Sequence, residues 1–265
     1  MTFDYDLFTS FDDEPGRVLF VDTETTGADP GEAHLVEIAM MAADYRGTVS
    51  LESSGEYATL VKPPIPVPPE ASAVHHITDR MLADAPQAPE VLNAVSGFAQ
   101  GADYICAHNL PFDLAILQRG FPGVFSRFGE ERRIDTLRLS RHCWPDIPSH
   151  SLQALRYRHN LDDLIPPGDA HRALFDTRLV KALLDTVLSR NLTDSKRLSD
   201  VVSFIARPLE VKVFNFGKHK GCLVEDIAAT DPDYIRWLLK QEWLPGEYPY
   251  LFHTLLRKSG QNEGH

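Results

Sequence analysis

The stretch that most constrains this chain is RVLFVDTETTG, Arg17 to Gly27. Its first half, Arg17 to Val21, is mostly branched or aromatic, the composition of a buried strand. Acids and a Thr-Thr-Gly turn signal follow at once. Strand side chains alternate faces, so Asp22 and Glu24 point the same way. Two carboxylates side by side at the end of a buried strand repel each other and lose hydration. A cation relieves that cost, and oxygen-only ligands suit Mg²⁺ or Mn²⁺. The same D-x-E can also be a plain exit into solvent, so the metal reading needs more carboxylates from elsewhere.

Two later segments offer them. In AHNLPFDLAIL, Asn109 is expected to cap a helix with Pro111 in its first turn, which brings Asp113 near the positive helix end. By itself that place also suits an ordinary first-turn acid. In PPGDAHRALFD, His171 and Asp176 form H-x4-D. Five residues along a helix are about 140° of rotation, so the two share no face if both are helical. They converge on one site only if His171 lies on a loop or frayed turn, which Pro166, Pro167 and Gly168 just upstream favour.

The 265 residues leave room for one large domain, or a domain plus a small module. A hydrophobic fraction of 43% and a charged fraction of 24% are those of an ordinary globular protein. Cys106, Cys143 and Cys222 are scattered and odd in number, with no zinc spacing, which implies a reducing, cytoplasmic setting. An acidic N-terminus and the lack of a long apolar run argue against a signal peptide or membrane anchor. The net charge of −12 lies entirely in residues 1–206, with 18 basic and 30 acidic residues; the remainder balances at 8 and 8. That charge does not exclude a nucleic-acid partner. Bound divalent ions would offset part of it, and gripping one strand end needs little basic surface.

Along the chain, Arg17–Val21, His34–Tyr45 and Tyr57–Lys62 read as three successive strands, an antiparallel meander. PPIPVPPE delays regular structure until its last proline, after which Glu70–His76 reads as a short helix. Thr78 is expected to cap another helix, and helices are predicted at Ala88–Gln100, Pro111–Arg119, Ser151–His159 and Asp169–Arg190. Short strands fit Tyr104–Ala107 and Arg133–Asp135. This order implies a mixed five-stranded sheet with helices on both faces. After a connecting helix, VKVFNFGKHKG reads as a β-hairpin and Ile235–Lys240 as a helix of a small α+β module. Trp144, Trp237 and Trp243 are expected in the core, and Lys218, His219 and Lys220 form either a phosphate contact or a solvated turn.

Taken together, DTETTG, HNLPFD and HRALFD resemble, in order, the three motifs of the DEDDh 3′→5′ exonucleases, a family with an RNase H-like fold. PEASAVHHIT is similar to the segment whose Glu and His touch the terminal nucleotide in that family, and these correspond to Glu70 and His75. The tail FNFGKHKG…DPDYIRWLL is most like the exodeoxyribonuclease X branch. Arg172 disfavours the sister class, which carries Tyr at the first position of Tyr-x3-Asp. The implied layout is an acidic flexible arm at 1–16, the exonuclease domain at 17–190, a linker helix at 191–208 and the module at 209–265.

The resemblance implies hydrolysis of DNA from a free 3′ end to nucleoside 5′-monophosphates with two divalent cations, Mg²⁺ or Mn²⁺. Asp22, Glu24, Asp113 and Asp176 are the implied ligands and His171 the base. Thr25, Glu70, His75 and Asn109 are the implied substrate contacts. DNA repair or end processing is the implied setting. An RNA 3′→5′ exonuclease and a polymerase-associated proofreading subunit, docked through the C-terminal module as a protein partner's site, are the alternatives.

Overall fold

In the computed structural model, the described residues are 15–46, 51–145, 147–190, 193 and 197–261. The arm expected at 1–16 lies outside them up to residue 14, as do positions 47–50 of the loop that follows the second strand.

Alternation in the first strand, β1 (Gly16–Thr25), feeds two separate cores. Val18 and Phe20 are buried on one face, Leu19 and Val21 on the other. Burial on both sides requires a central position. β2 (Leu35–Tyr45) pairs antiparallel with β1, and β3 (Glu52–Leu60) continues the meander outward as a largely exposed edge. Across the other side of β1, β4 (Tyr104–Ala107) and β5 (Arg133–Asp135) add in parallel, giving the order β3-β2-β1-β4-β5. This is the mixed five-stranded sheet expected from the sequence.

The helices, in chain order, are α1 (Pro69–His75), α2 (Ala88–Ala99), α3 (Leu110–Gly120), α4 (Thr136–Cys143), α5 (Leu152–His159), α6 (Ala173–Ser189) and α7 (Leu198–Ala206). Residues of α2 and α3 fill the core with Leu19 and Val21; residues of α4, α6 and α7 fill the core with Val18 and Phe20. On α6, Asp176, Val180, Leu184 and Val187 recur every three or four residues and so form one stripe. On β1, Val18, Phe20, Asp22 and Glu24 form the facing stripe. The lower members of both stripes are apolar and pack together. Their upper members are acids, so the same contact that builds the core carries the carboxylates into one place.

Several expectations are corrected. No helix follows Thr78. Residues 79–84 are turns, and the Asp79 carboxylate instead accepts from the Val67 N–H of the proline-rich loop at 3.0 Å. Pro86 closes the segment before a helix has room to form. The long helix begins at Ala173, not Asp169, because His171 adopts φ +58° just ahead of it. Residues expected to link the domains also join the first core: Leu198, Val201, Val202 and Ile205 of α7 pack with α6.

The chain divides into two compact units at Ile205/Ala206. In the second, the predicted hairpin reduces to one bridge, Val213 to Leu223. Backbone bonds flank that bridge, from the Phe214 N–H to the Cys222 carbonyl at 3.0 Å and from the Gly221 N–H to the Phe214 carbonyl at 2.7 Å, and side chains brace the turn further. Lys218 Nζ and His219 Nε2 both reach Asp231 Oδ2, at 2.7 and 2.9 Å, and hold that carboxyl near 2. Gly217 lies at φ +70°, where an added Cβ would sit 2.7 Å from the Tyr234 hydroxyl, so no larger residue fits. The rest is helical: α8 (Val224–Thr230), α9 (Pro232–Leu239), α10 (Leu244–Glu247) and α11 (Pro249–Gln261). Trp144 packs against the first unit's cores, whereas Trp237 is 52% and Trp243 37% exposed rather than interior.

The second unit owns its core, Phe214, Val224, Ile227, Ile235, Leu238, Leu244, Leu251 and Leu255. Leu238→Ala should therefore destabilise that unit by about 2–5 kcal/mol, the usual range for a buried leucine. Hydrogen exchange read peptide by peptide should show faster exchange across α8–α11 with β1 and α6 unchanged.

Candidate active site

The acids meet where the two stripes end. One ligand atom each from Asp22, Glu24 and Asp176 lies within 4.8 Å of the others. Asp113 approaches from the opposite face of β1. Thr23, whose side chain alternates to that face, donates its hydroxyl to Asp113 Oδ1 at 2.8 Å. Asp113 is 4% exposed, and its charge is the strongest of those acting on Asp22. The structure thus brings all four predicted carboxylates to one strand end, with three in mutual reach and Asp113 beside them.

The cluster strains its own ionisation. Burial, then the charges of Asp113, Asp176, Glu24 and Glu37, hold the Asp22 carboxyl well above the usual carboxylate range. Burial and the same neighbours lift Glu24 to about 8. Burial raises Asp113 to about 7 against the pull of Thr23, and Asp176 to about 6 against His171 and Gln153. An all-oxygen donor set crowded in this way fits a hard divalent cation.

Asp176 is held at both oxygens. Gln153 of α5 donates to Oδ1 at 2.9 Å, and the His171 backbone N–H donates to Oδ2 at 3.1 Å. The left-handed backbone of His171 puts it ahead of the helix, in the cleft lined by Asp22, Thr23, Glu24, Gln153 and Asp176. That is the loop position on which convergence of the H-x4-D pair depends.

Glu70 is exposed in the first turn of α1. His75 is 2% exposed, and both its ring nitrogens are engaged by backbone. Nδ1 accepts from the Ile77 N–H at 3.0 Å, which leaves Nε2 as the donor to the Thr25 carbonyl at 3.2 Å. The Thr25 hydroxyl donates to the Gly27 carbonyl at 2.7 Å. Asn109 occupies the N-cap of α3, but not as expected: at φ +76° its side chain makes no cap bond, and its backbone N–H donates to Asp135.

Three residues escaped the sequence reading, Thr23, Glu37 and Gln153, while His108 reads from the sequence as structural. Glu37 did leave a signal, as an acid deep in the apolar run LVEIAMM. His108 lines the cleft, and its ring nitrogens meet Thr136 Oγ1 and the His150 carbonyl, at 3.0 and 2.8 Å.

A family profile described as "Exonuclease" matches residues 19–184, which include all of these carboxylates. The chain belongs to this exonuclease family. A second profile, "Exodeoxyribonuclease X-like C-terminal", matches residues 214–242. Exodeoxyribonuclease 10 of Escherichia coli (strain K12) is 33% identical over 219 residues, which span 82% of this chain and 88% of that protein. The structure of exonuclease X in complex with 5′ overhanging duplex DNA is 31% identical with a TM-score of 0.53, over 70% of this chain and 99% of that one. A zinc-bound complex of E. coli exonuclease I with single-stranded DNA has a TM-score of 0.55 over 68% of this chain and 42% of that one. At 21% identity the latter is a likeness of fold alone. The protein is a 3′→5′ exodeoxyribonuclease of the divalent-metal-dependent kind.

A pH dependence follows from the raised carboxyls. In the folded, metal-free exonuclease these groups keep protons that the unfolded chain releases near pH 4, so their contribution to stability falls as pH rises from about 4 to about 8 and levels off above. In EDTA, the melting temperature should climb when pH is lowered from 8 towards 5. Asp22→Asn should raise it at pH 8 and flatten the climb, as read by differential scanning calorimetry.

Proposed function

We propose that Asp22, Glu24, Asp113 and Asp176 hold two divalent cations, Mg²⁺ or Mn²⁺, and that His171 is the general base. The observation that supports this reading is the convergence of Asp22, Glu24 and Asp176 within 4.8 Å beside a histidine set on a left-handed residue. Bound there, a pair of cations supplies charge neutralisation and an acidified water. Asp22, central among the acids, would hold both cations, Glu24 and Asp176 the one that activates the water, and Asp113 the one that stabilises the leaving 3′ oxygen. An imidazole nitrogen of His171 takes the water's proton as the phosphodiester bond opens. Gln153 keeps the Asp176 carboxylate turned towards the centre.

Selection of a terminus falls to the α1 side. Glu70, exposed at the first turn of α1, receives the terminal 3′-hydroxyl. His75 fixes the Thr25 carbonyl and so the Thr25–Gly27 turn, and Thr25 and Asn109 contact the last nucleotide. DNA, single-stranded or with duplex ends, is the substrate. Its place is DNA repair or end processing, and the DNA complex of the similar exonuclease X supports the choice over RNA.

Four measurements test the reading. Exhaustive EDTA treatment should abolish activity, and Mg²⁺ or Mn²⁺ should restore it. Circular single-stranded DNA should resist digestion while its linear form is degraded; nicking of the circle would indicate an endonuclease. His171→Ala should lower turnover by about 10²–10⁴-fold with Mn²⁺ affinity retained, the range expected for loss of a general base. Asp176→Ala should instead weaken Mn²⁺ binding in calorimetric titration.

A further inference from the structure

The segment that carries His171 and Asp176 is fastened to the sheet by one ion pair that takes no part in ligating or proton transfer. Glu37, on β2, is 4% exposed. Both its oxygens are engaged by Arg172: Nη2 to Oε1 at 2.7 Å and Nε to Oε2 at 3.2 Å, a two-pronged contact. Oε2 also accepts the Ala173 backbone N–H at 3.0 Å. Ala173 is the first residue of α6, and Arg172 at its N-cap makes no side-chain cap bond. Glu37 therefore caps α6 from a strand 136 positions away in sequence. It also stands directly across from Glu24 in the β1–β2 register, so the clamp is anchored on the strand pair that presents the acids.

The backbone explains why such a clamp is needed. His171, immediately before Arg172, is held at φ +58°, a region that a non-glycine residue occupies at a cost. Such a conformation persists only where its surroundings over-determine it. On one side of His171 the chain runs back through Gly168, Pro167 and Pro166, which supply few bonds of their own. On the other, Arg172 and Ala173 are bound to Glu37 at three points. Asp176 has an independent hold, since Gln153 grips its Oδ1 from α5.

We propose that Glu37 and Arg172 are positioning residues: their ion pair fixes the left-handed His171 over the carboxylate centre, while Asp176 depends less on it. The pair serves a second end. Glu37 is a fifth buried carboxylate that adds to the crowding on Glu24, and the Arg172 guanidinium offsets part of its charge where it stands.

The inference rests on His171 as the base, and the test separates the two. Arg172→Ala, Arg172→Lys and Glu37→Gln, each checked for folding by melting at saturating Mn²⁺, would be compared in wild-type and His171→Ala backgrounds on a 5′-labelled oligonucleotide. Arg172→Ala should lower kcat by about 10- to 100-fold, with KM and Mn²⁺ affinity within about threefold, the pattern of a displaced catalytic group. Arg172→Lys and Glu37→Gln should lose less, because each keeps part of the hydrogen bonding. In the His171→Ala background, the further loss from Arg172→Ala should shrink to less than about threefold. An unchanged kcat, a fall in Mn²⁺ affinity that accounts for the loss, or a full multiplicative loss in the His171→Ala background would each overturn the proposal. A harmless His171→Ala would instead remove the base assignment on which it stands.

Discussion

Mutual repulsion among buried carboxylates is the constraint around which the first unit is braced. Asp22, Glu24, Asp113 and Asp176, with Glu37 alongside, place several like charges at one strand end, and each raises the ionisation cost of its neighbours. Nothing at the centre itself favours that arrangement in the absence of cations. It is imposed by the apolar stripes below it, Val18 and Phe20 on β1 against Val180, Leu184 and Val187 on α6. The hydrophobic contact is strong and lies next to the repulsion, so the core holds the acids at a separation they would not choose.

Polar contacts then decide how each acid faces. Thr23 turns Asp113, Gln153 and the His171 N–H turn Asp176, and Arg172 quenches Glu37. A further ion pair, Arg178 with Glu56 at 2.6 and 2.8 Å, ties α6 to the edge strand β3 two residues beyond Asp176. Helix α6 is thus joined to β1 by packing and to β2 and β3 through charge as well. A binding centre that must keep its shape with and without cations benefits from this redundancy.

How much of this could be read in the sequence depended on how local each signal was. β1 was legible because strand composition, paired acids and a turn follow within eleven residues, and α6 because its apolar period is long. The acids themselves were legible through their motifs. What failed was set by distant partners. Thr78 looks like a helix cap until Asp79 is drawn to the proline-rich loop. The turn at Gly217–Gly221 does reverse the chain as a hairpin would, but its ladder is a single bridge, and its bracing by Lys218 and His219 on Asp231 is something no pattern reports. His75 was singled out by its motif, but not the engagement of its ring, since that rests on a carbonyl 50 positions earlier. Arg172 was noted only for not being tyrosine, although its partner Glu37 stands out as a lone acid in an apolar strand.

The order of the strands carries a consequence for synthesis. The meander β1–β2–β3 is contiguous in sequence and can form while the chain is still short, with Asp22 and Glu24 already on it. Its partner α6 emerges more than a hundred residues later, and the Glu37 cap spans 136 positions. Contacts of such separation form late in folding, because the intervening chain must first be brought to heel against its own entropy. With the site roles proposed above, a growing chain on the ribosome therefore holds half of the proposed catalytic centre for most of its translation. On that reading it becomes able to cut nucleic acid only when α6 docks, so the fold itself times the appearance of nuclease activity to the near-completion of its first unit.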